Sequence, residues 1–181
     1  MKDDFVYGHV RYELGNPLKV KFKKHFCYNC GEKLQVTEYK RVIARKDPDA
    51  KYFSFHGIIK RAMFIHDVFH CPNCSKIIEP ITQLDYENID IIIQKVIRNF
   101  KKKGLELIIQ KIVEDENGCE IKDVYDLSEN CHVRLVIQEE GKADIDFVIP
   151  IKRFPVNDRP FEILLSKRKL IKFIKERKFV H

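Results

Sequence analysis

The chain has 181 residues, 44% of them hydrophobic and 34% charged, enough apolar content for one medium domain or two small ones and too much for disorder over most of its length. Apolar runs such as Ile91-Ile92-Ile93 are far too short to cross a bilayer, and Met1-Lys2-Asp3-Asp4 carries acids where a signal peptide has basic residues, so a cytoplasmic protein is expected. The net charge of +7 is laid out in blocks. Residues 1–104 carry 20 basic and 12 acidic side chains (+8), residues 105–150 carry 4 and 12 (−8), and residues 151–181 carry 10 and 3 (+7). Either the basic tail docks on the acidic middle of the same molecule, or the basic faces meet an anionic partner.

Along the chain, Gly15-Asn16-Pro17 signals a turn, and Val20, Phe22 and Lys24 alternate with lysines, predicting a strand that leads into Cys27. Val36–Ala44 predicts a second strand, Lys46-Asp47-Pro48-Asp49 a loop, and Ile58–Phe69 a long strand running into Cys71. Asp85–Lys103 carries Ile89, Ile92, Ile93, Val96, Ile97 and Phe100 at helical spacing, with Asp85 or Asn88 as a cap and Gly104 as a stop. From Leu105 the period falls to two. Leu105–Val113, a hairpin turn at Asn117-Gly118, Val133–Ile137 and Ile145–Ile149 predict a four-stranded antiparallel sheet with one wet, acidic face. A final helix is expected between Pro160 and Lys178, with Leu170, Ile171, Phe173 and Ile174 as its stripe. The fold class is therefore α+β: a β-rich module over 1–84, a linking helix over 85–104, and an antiparallel sheet with a terminal helix over 105–181.

The sharpest chemical signal is Cys27-Tyr-Asn-Cys30-Gly31, followed forty residues later by Cys71-Pro-Asn-Cys74. A two-residue gap lets one tight turn aim two thiolates at one ion, and four thiolates suit tetrahedral zinc, with iron as the alternative metal. Gly31 permits the backbone such a turn needs and Pro72 stiffens the second turn, while Ser75 stands where a second glycine is usual. This stretch, about residues 20–80, resembles the zinc-ribbon superfamily, including its rubredoxin-like members. The resemblance implies a structural zinc ion on Cys27, Cys30, Cys71 and Cys74. It implies no particular activity, since ribbons serve nucleic-acid binders, enzymes and adaptors. His25 and His70 flank the ligands as supporting or surface groups. Cys119 and Cys131 lack partners at ligand spacing and are expected to be buried free thiols.

No phosphate-binding glycine loop, His-Glu-x-x-His or Gly-x-Ser-x-Gly is present. Glu120-Ile121-Lys122, with Glu106, Glu114 and Asp115 upstream, is similar to half of the PD-(D/E)xK nuclease motif, whose upstream Pro-Asp is missing. Basic residues crowd the last helix: Lys167, Arg168, Lys169, Lys172, Lys175, Arg177 and Lys178. Lys19, Lys21, Lys23 and Lys24 precede the first cysteine pair, interleaved with Phe22 and Phe26. These patterns favour a non-enzymatic zinc protein that binds nucleic acid through basic surfaces. A protein-interaction adaptor or inhibitor that meets an acidic protein surface is the alternative, and a metal-dependent nuclease a more distant one.

Overall fold

The computed structural model describes residues 8–11, 15–48, 50, 55, 57–125, 130–152 and 162–177, without the side chains of Lys152, Glu162 and Arg177. The fold is α+β, as predicted, and the chain divides into two compact units, the boundary falling between Gln83 and Leu84.

The first unit is built on strands β1 (His9–Arg11), β2 (Gln35–Ala44), β3 (Arg61–His70) and β4 (Ile77–Ile78), with helix α1 (Pro17–Phe22) ahead of β2. The strand expected through Val20, Phe22 and Lys24 is this helix instead. Asn16 caps it, its side-chain oxygen accepting from the N–H groups of Leu18 (3.0 Å) and Lys19 (3.3 Å), and Pro17 holds the first helical position. Over six residues, those two local start signals outweigh an alternation that a helix also tolerates. Val20 alone in α1 is buried.

β2 and β3 form an antiparallel pair ten residues long, from Gln35 opposite His70 to Ala44 opposite Arg61, and β1 joins the far side of β3 in parallel. One face of β3 supplies Ala62, Phe64, His66 and Val68 to the interior. Ile43 packs on Ala62 and Phe64, with Val10, Ala50, Phe55 and Ile59 around them. Among the described residues β2 closes the sheet as its edge. In the connection after it, the carboxylate of Asp47 accepts from Ala44 N–H at 2.7 Å, where a loop is expected.

The second unit holds most of helix α2 (Pro80–Lys101), strands β5 (Leu107–Glu114), β6 (His132–Glu139), β7 (Ile145–Lys152) and β8 (Glu162–Ile163), and helix α3 (Lys167–Arg177). The strands lie side by side in chain order, each pair antiparallel. α2 starts five residues before the expected Asp85, because Pro80 at the first position has no N–H to satisfy. Asp85 instead accepts from Ile163 N–H at 3.0 Å. The helix stops as predicted: Gly104 takes φ +73° and Leu105 N–H reaches back to Phe100 C=O at 3.1 Å.

Inward-facing Val133, Leu135 and Ile137 of β6 are buried, together with Ile149 of β7 and Leu107 and Val113 of β5. α2 buries Tyr86, Ile89, Ile93, Val96 and Phe100, and α3 buries Leu170 and Ile174. Phe173 meets Phe147 edge to face at 5.0 Å. Asn117-Gly118 does turn, with Gly118 at φ +78° and the Asp115 carboxylate accepting from Asn117 and Cys119 N–H. The expected hairpin strand beyond it shrinks to one bridge between Glu114 and Glu120, and β5 pairs with β6 instead. Among the described residues no helix is long and apolar enough to cross a membrane.

Candidate metal centre

Two turns of matching design carry the four cysteines. In the first, Cys27 N–H donates to Glu32 C=O at 2.8 Å and Gly31 N–H to Cys27 C=O at 2.7 Å. In the second, Cys71 N–H donates to Lys76 C=O at 2.9 Å, and Cys74 N–H points at the Cys71 sulfur at 3.4 Å. Each turn needs one left-handed residue directly after its second cysteine. Gly31 takes it at φ +75° and Ser75 at φ +54°, the one non-glycine residue with positive φ among those described. Ser75 therefore occupies the backbone state usually left to glycine.

The Sγ atoms of Cys27, Cys30, Cys71 and Cys74 all lie within 4.8 Å of one another, and Cys30 and Cys71 are 3.5 Å apart. Four sulfurs at about 2.3 Å from a central zinc would stand about 3.8 Å from each other, so the cluster fits one tetrahedral ion. Cys27 and Cys71 are buried, Cys74 is half-buried and Cys30 exposed, so the site opens to solvent on one side. The electrostatics point the same way. A backbone hydrogen bond from Glu32, helped by Cys74, lowers the Cys30 thiol to about 6. Contact with Cys30 and then burial push Cys74 up to about 12, and burial raises Cys27. One thiolate forms readily, on Cys30, while Cys27 and Cys74 resist joining it. A bound cation would remove that resistance by supplying the missing positive charge.

The supports of the cluster come from both of its flanks. His25 is buried, its Nε2 2.8 Å from Lys19 C=O and its ring 4.5 Å from that of Phe69, which makes it a packing group behind the first turn. Phe26 bridges to Lys33, and the Gln83 side-chain amide donates to Phe26 C=O at 3.0 Å. Gln83 is almost wholly buried, and no local motif marks it as a brace for the site. His70 ends β3 opposite Gln35, next to Cys71.

The other candidates are placed differently. Cys131 is buried as expected, but Cys119 is exposed, because the Asp115 turn projects it outward; among the described residues neither is in a disulfide. Among the described residues, the four cysteines are the only group of three or more potential ligands gathered closely enough to hold an ion. Glu106, Glu120 and Lys122 are exposed. Glu114 is buried; its two carboxylate oxygens share the Nε–H of Arg134 at 3.0 Å, Oε1 also accepts from Nη2 at 2.5 Å, and His132 lies 3.2 Å away. Arg134 holds the Glu114 carboxyl below the usual range, and Glu114 in turn raises Arg134. These contacts engage Glu114 in cross-strand pairing. No neighbouring residue in sequence hints at that arrangement, since Arg134 lies twenty positions away.

On α3, Lys167, Arg168, Lys169, Lys172 and Lys175 are exposed, and Lys172 to Glu176 (3.4 Å) is the one ion pair these five make among the described residues. Arg168, Lys172 and Lys175 line a shallow depression with Ile171 and Glu176. The Arg177 side chain and Lys178 lie outside the described residues. Several acids of the 105–150 segment have other partners: Asp146 contacts Arg134, Glu139 contacts Lys142, and Asp144 accepts from Gln138. In the first unit Lys21 pairs with Asp67 at 3.3 Å, while Leu18 and Phe22 of α1 stand 67% and 81% exposed. No family model matches this chain, and neither does any curated protein or solved structure.

Proposed function

We propose that this is a non-enzymatic protein with a structural zinc ion on Cys27, Cys30, Cys71 and Cys74, which binds nucleic acid through the basic face of α3. The observation that carries the binding reading is the state of that face. Lys167, Arg168, Lys169 and Lys175 are exposed and pair with no acid among the described residues, whereas several acids of the 105–150 segment, Glu114, Glu139 and Asp146, pair with cations of that same segment. Unneutralised cations on one side of a helix suit a phosphate backbone, where their contribution comes from releasing condensed counterions. Thiolate donors alone, at tetrahedral spacing, support zinc over a hard cation such as magnesium.

The test is a titration of the zinc-loaded protein with labelled DNA and RNA at several salt concentrations. On duplex DNA the log–log slope should be about −0.9 per phosphate neutralised. Replacing Lys169, Lys172 and Lys175 by Glu should weaken binding by severalfold or more while zinc content and melting temperature hold. No binding at low salt would sink the reading. An adaptor that meets a protein surface is the second reading, favoured by the apolar side chains that α1 exposes at Leu18 and Phe22.

A further inference from the structure

Strand β2 presents an edge whose chemistry is its own mirror. Among the described residues it pairs with β3 on one side and ends the sheet on the other, so its outer N–H and C=O groups short of Ala44, whose N–H is taken by Asp47, form a template for another strand. Its even-numbered side chains share one face, with Glu38 opposite Asp67 and Lys40 opposite Ile65 across the β3 pair. Read along that face, the stripe is Val36, Glu38, Lys40, Val42: apolar, acid, base, apolar. Both valines are well exposed, at 42% and 40%.

We propose that the protein self-associates by antiparallel pairing of β2 with β2 of a second copy, about a two-fold axis that passes beside Tyr39. Two identical strands can lie antiparallel and adjacent in one continuous sheet only if the axis is perpendicular to that sheet. Equivalent faces of the two copies then coincide, and even-numbered residues must oppose even-numbered ones. Among the central registers this leaves three. Centring on residue 38 sets Glu38 against Glu38, and centring on residue 40 sets Lys40 against Lys40. Centring on residue 39 sets Glu38 against Lys40 twice and Val36 against Val42 twice, with the two Tyr39 side chains meeting at the axis. Only this last register opposes unlike charges and joins the exposed valines, and each such cross-strand pair is favourable. Within one copy Glu38 contacts Arg11 at 2.9 Å and Lys40 at 3.7 Å. Both contacts join exposed groups held only weakly, so they yield to the intermolecular pairs at little cost.

An interface made chiefly of one strand edge is small, so a dissociation constant in the range of about 1–100 µM is expected for the full-length, zinc-loaded chain. Sedimentation velocity or light scattering across that range should show a monomer–dimer equilibrium. Glu38→Lys leaves two positive positions on the stripe and Lys40→Glu two negative ones, so each variant alone should dimerise at least about tenfold more weakly than the natural chain. Mixed in equal amounts, they present opposite charges at all four facing positions and should form a mixed dimer at least as strong as the natural one. Zinc content confirms that each variant retains its fold, and recovery in the mixture shows the same independently. A natural chain that stays monomeric throughout would overturn the proposal and leave the edge to a foreign strand. A dimer that ignores both substitutions and shows no preference for mixing would overturn it too, because it would use another surface.

Discussion

In the second unit the central strand β6 buries Val133, Leu135, Val136 and Ile137, and two helices add seven large buried side chains on their inner faces. In the first unit β3 does most of this work alone. Its ten-residue neighbour β2 contributes only Ile43 to the core and leaves Val36 and Val42 in water. Equal strand length thus conceals unequal burial, and hydrophobic burial is the main favourable term in folding. The unit with the thinner core is also the one that gathers four thiols. A metal cross-link and an apolar core are alternative sources of stability in small sheets, and an ion on the four cysteines would supplement the thinner core of the first unit.

The largest expected effect breaks that division directly. Removing the metal with a chelator, or replacing Cys30 or Cys71 with Ser, should unfold the first unit and spare the second. Apparent binding free energies of about 10–16 kcal/mol are linked to folding in small zinc units. Hydrogen exchange should show protection lost over β2 and β3 and kept over β5–β7. The ligands must shed protons to bind, so acid should release the metal and destabilise the first unit as pH falls. Metal-free protein with full protection over β3 would erase the contrast between the units.

The converse substitution is Leu135→Ala. This side chain is fully buried in β6, and its loss should cost the second unit about 2–5 kcal/mol in chemical denaturation. Metal affinity, measured by competition with a chromophoric chelator, should not move. A smaller change tests the polar side of the same sheet. Glu114→Gln should lower stability at pH 7 by about 1–3 kcal/mol, since hydrogen bonds from Arg134 and His132 to a charged acceptor are lost. Because the folded carboxyl titrates below its unfolded value, this contribution is complete above the unfolded pKa of about 4.3 and fades as pH falls through the lower, folded one. Denaturation curves of the two proteins should therefore converge in acid; a gap that widened there would refute the assignment.

The smallest effects lie in the turns. Gly31→Ala meets no steric obstacle, and its cost of about 1–2 kcal/mol arises from φ +75° alone. Metal affinity should fall roughly 5- to 30-fold, by the conversion of about 1.4 kcal/mol per factor of ten. Ser75→Gly removes a similar strain but loosens the unfolded chain, so a gain between zero and about 1 kcal/mol is expected.

The cysteine cluster was legible because its information is local: two short motifs each specify a turn, and the strands between them alternate or run apolar over ten residues. α2 was legible for the same reason, through a stripe sustained over several turns. α1 was misread because Val20-Lys21-Phe22 satisfies both periods, and the deciding signal lay outside the alternation, in Asn16-Pro17. The partner of β5 was hidden by distance. Asn117-Gly118 specifies a turn but not how far the returning strand follows, and β6 begins only at His132. Likewise Glu114 and Arg134 meet only because the register of two separated strands places Glu114 opposite His132 and Arg134 one same-face position along.

The geometry of β2 and β3 reaches into the metal centre in one more way. Gln35 opposite His70 is the last pair of that hairpin, and the two cysteine turns leave from its two strands at that end. A slip by two residues would keep every side chain on its proper face, so burial alone would penalise it weakly on a strand as exposed as β2. The same slip would carry one turn about 6.8 Å past the other along the strand direction. The four sulfurs now fit within 4.8 Å, and no single ion could hold them after such a displacement. An ion bound there would therefore act as a proofreader of strand alignment: it would discriminate between pairings that the side chains nearly fail to tell apart, and fasten only the native one.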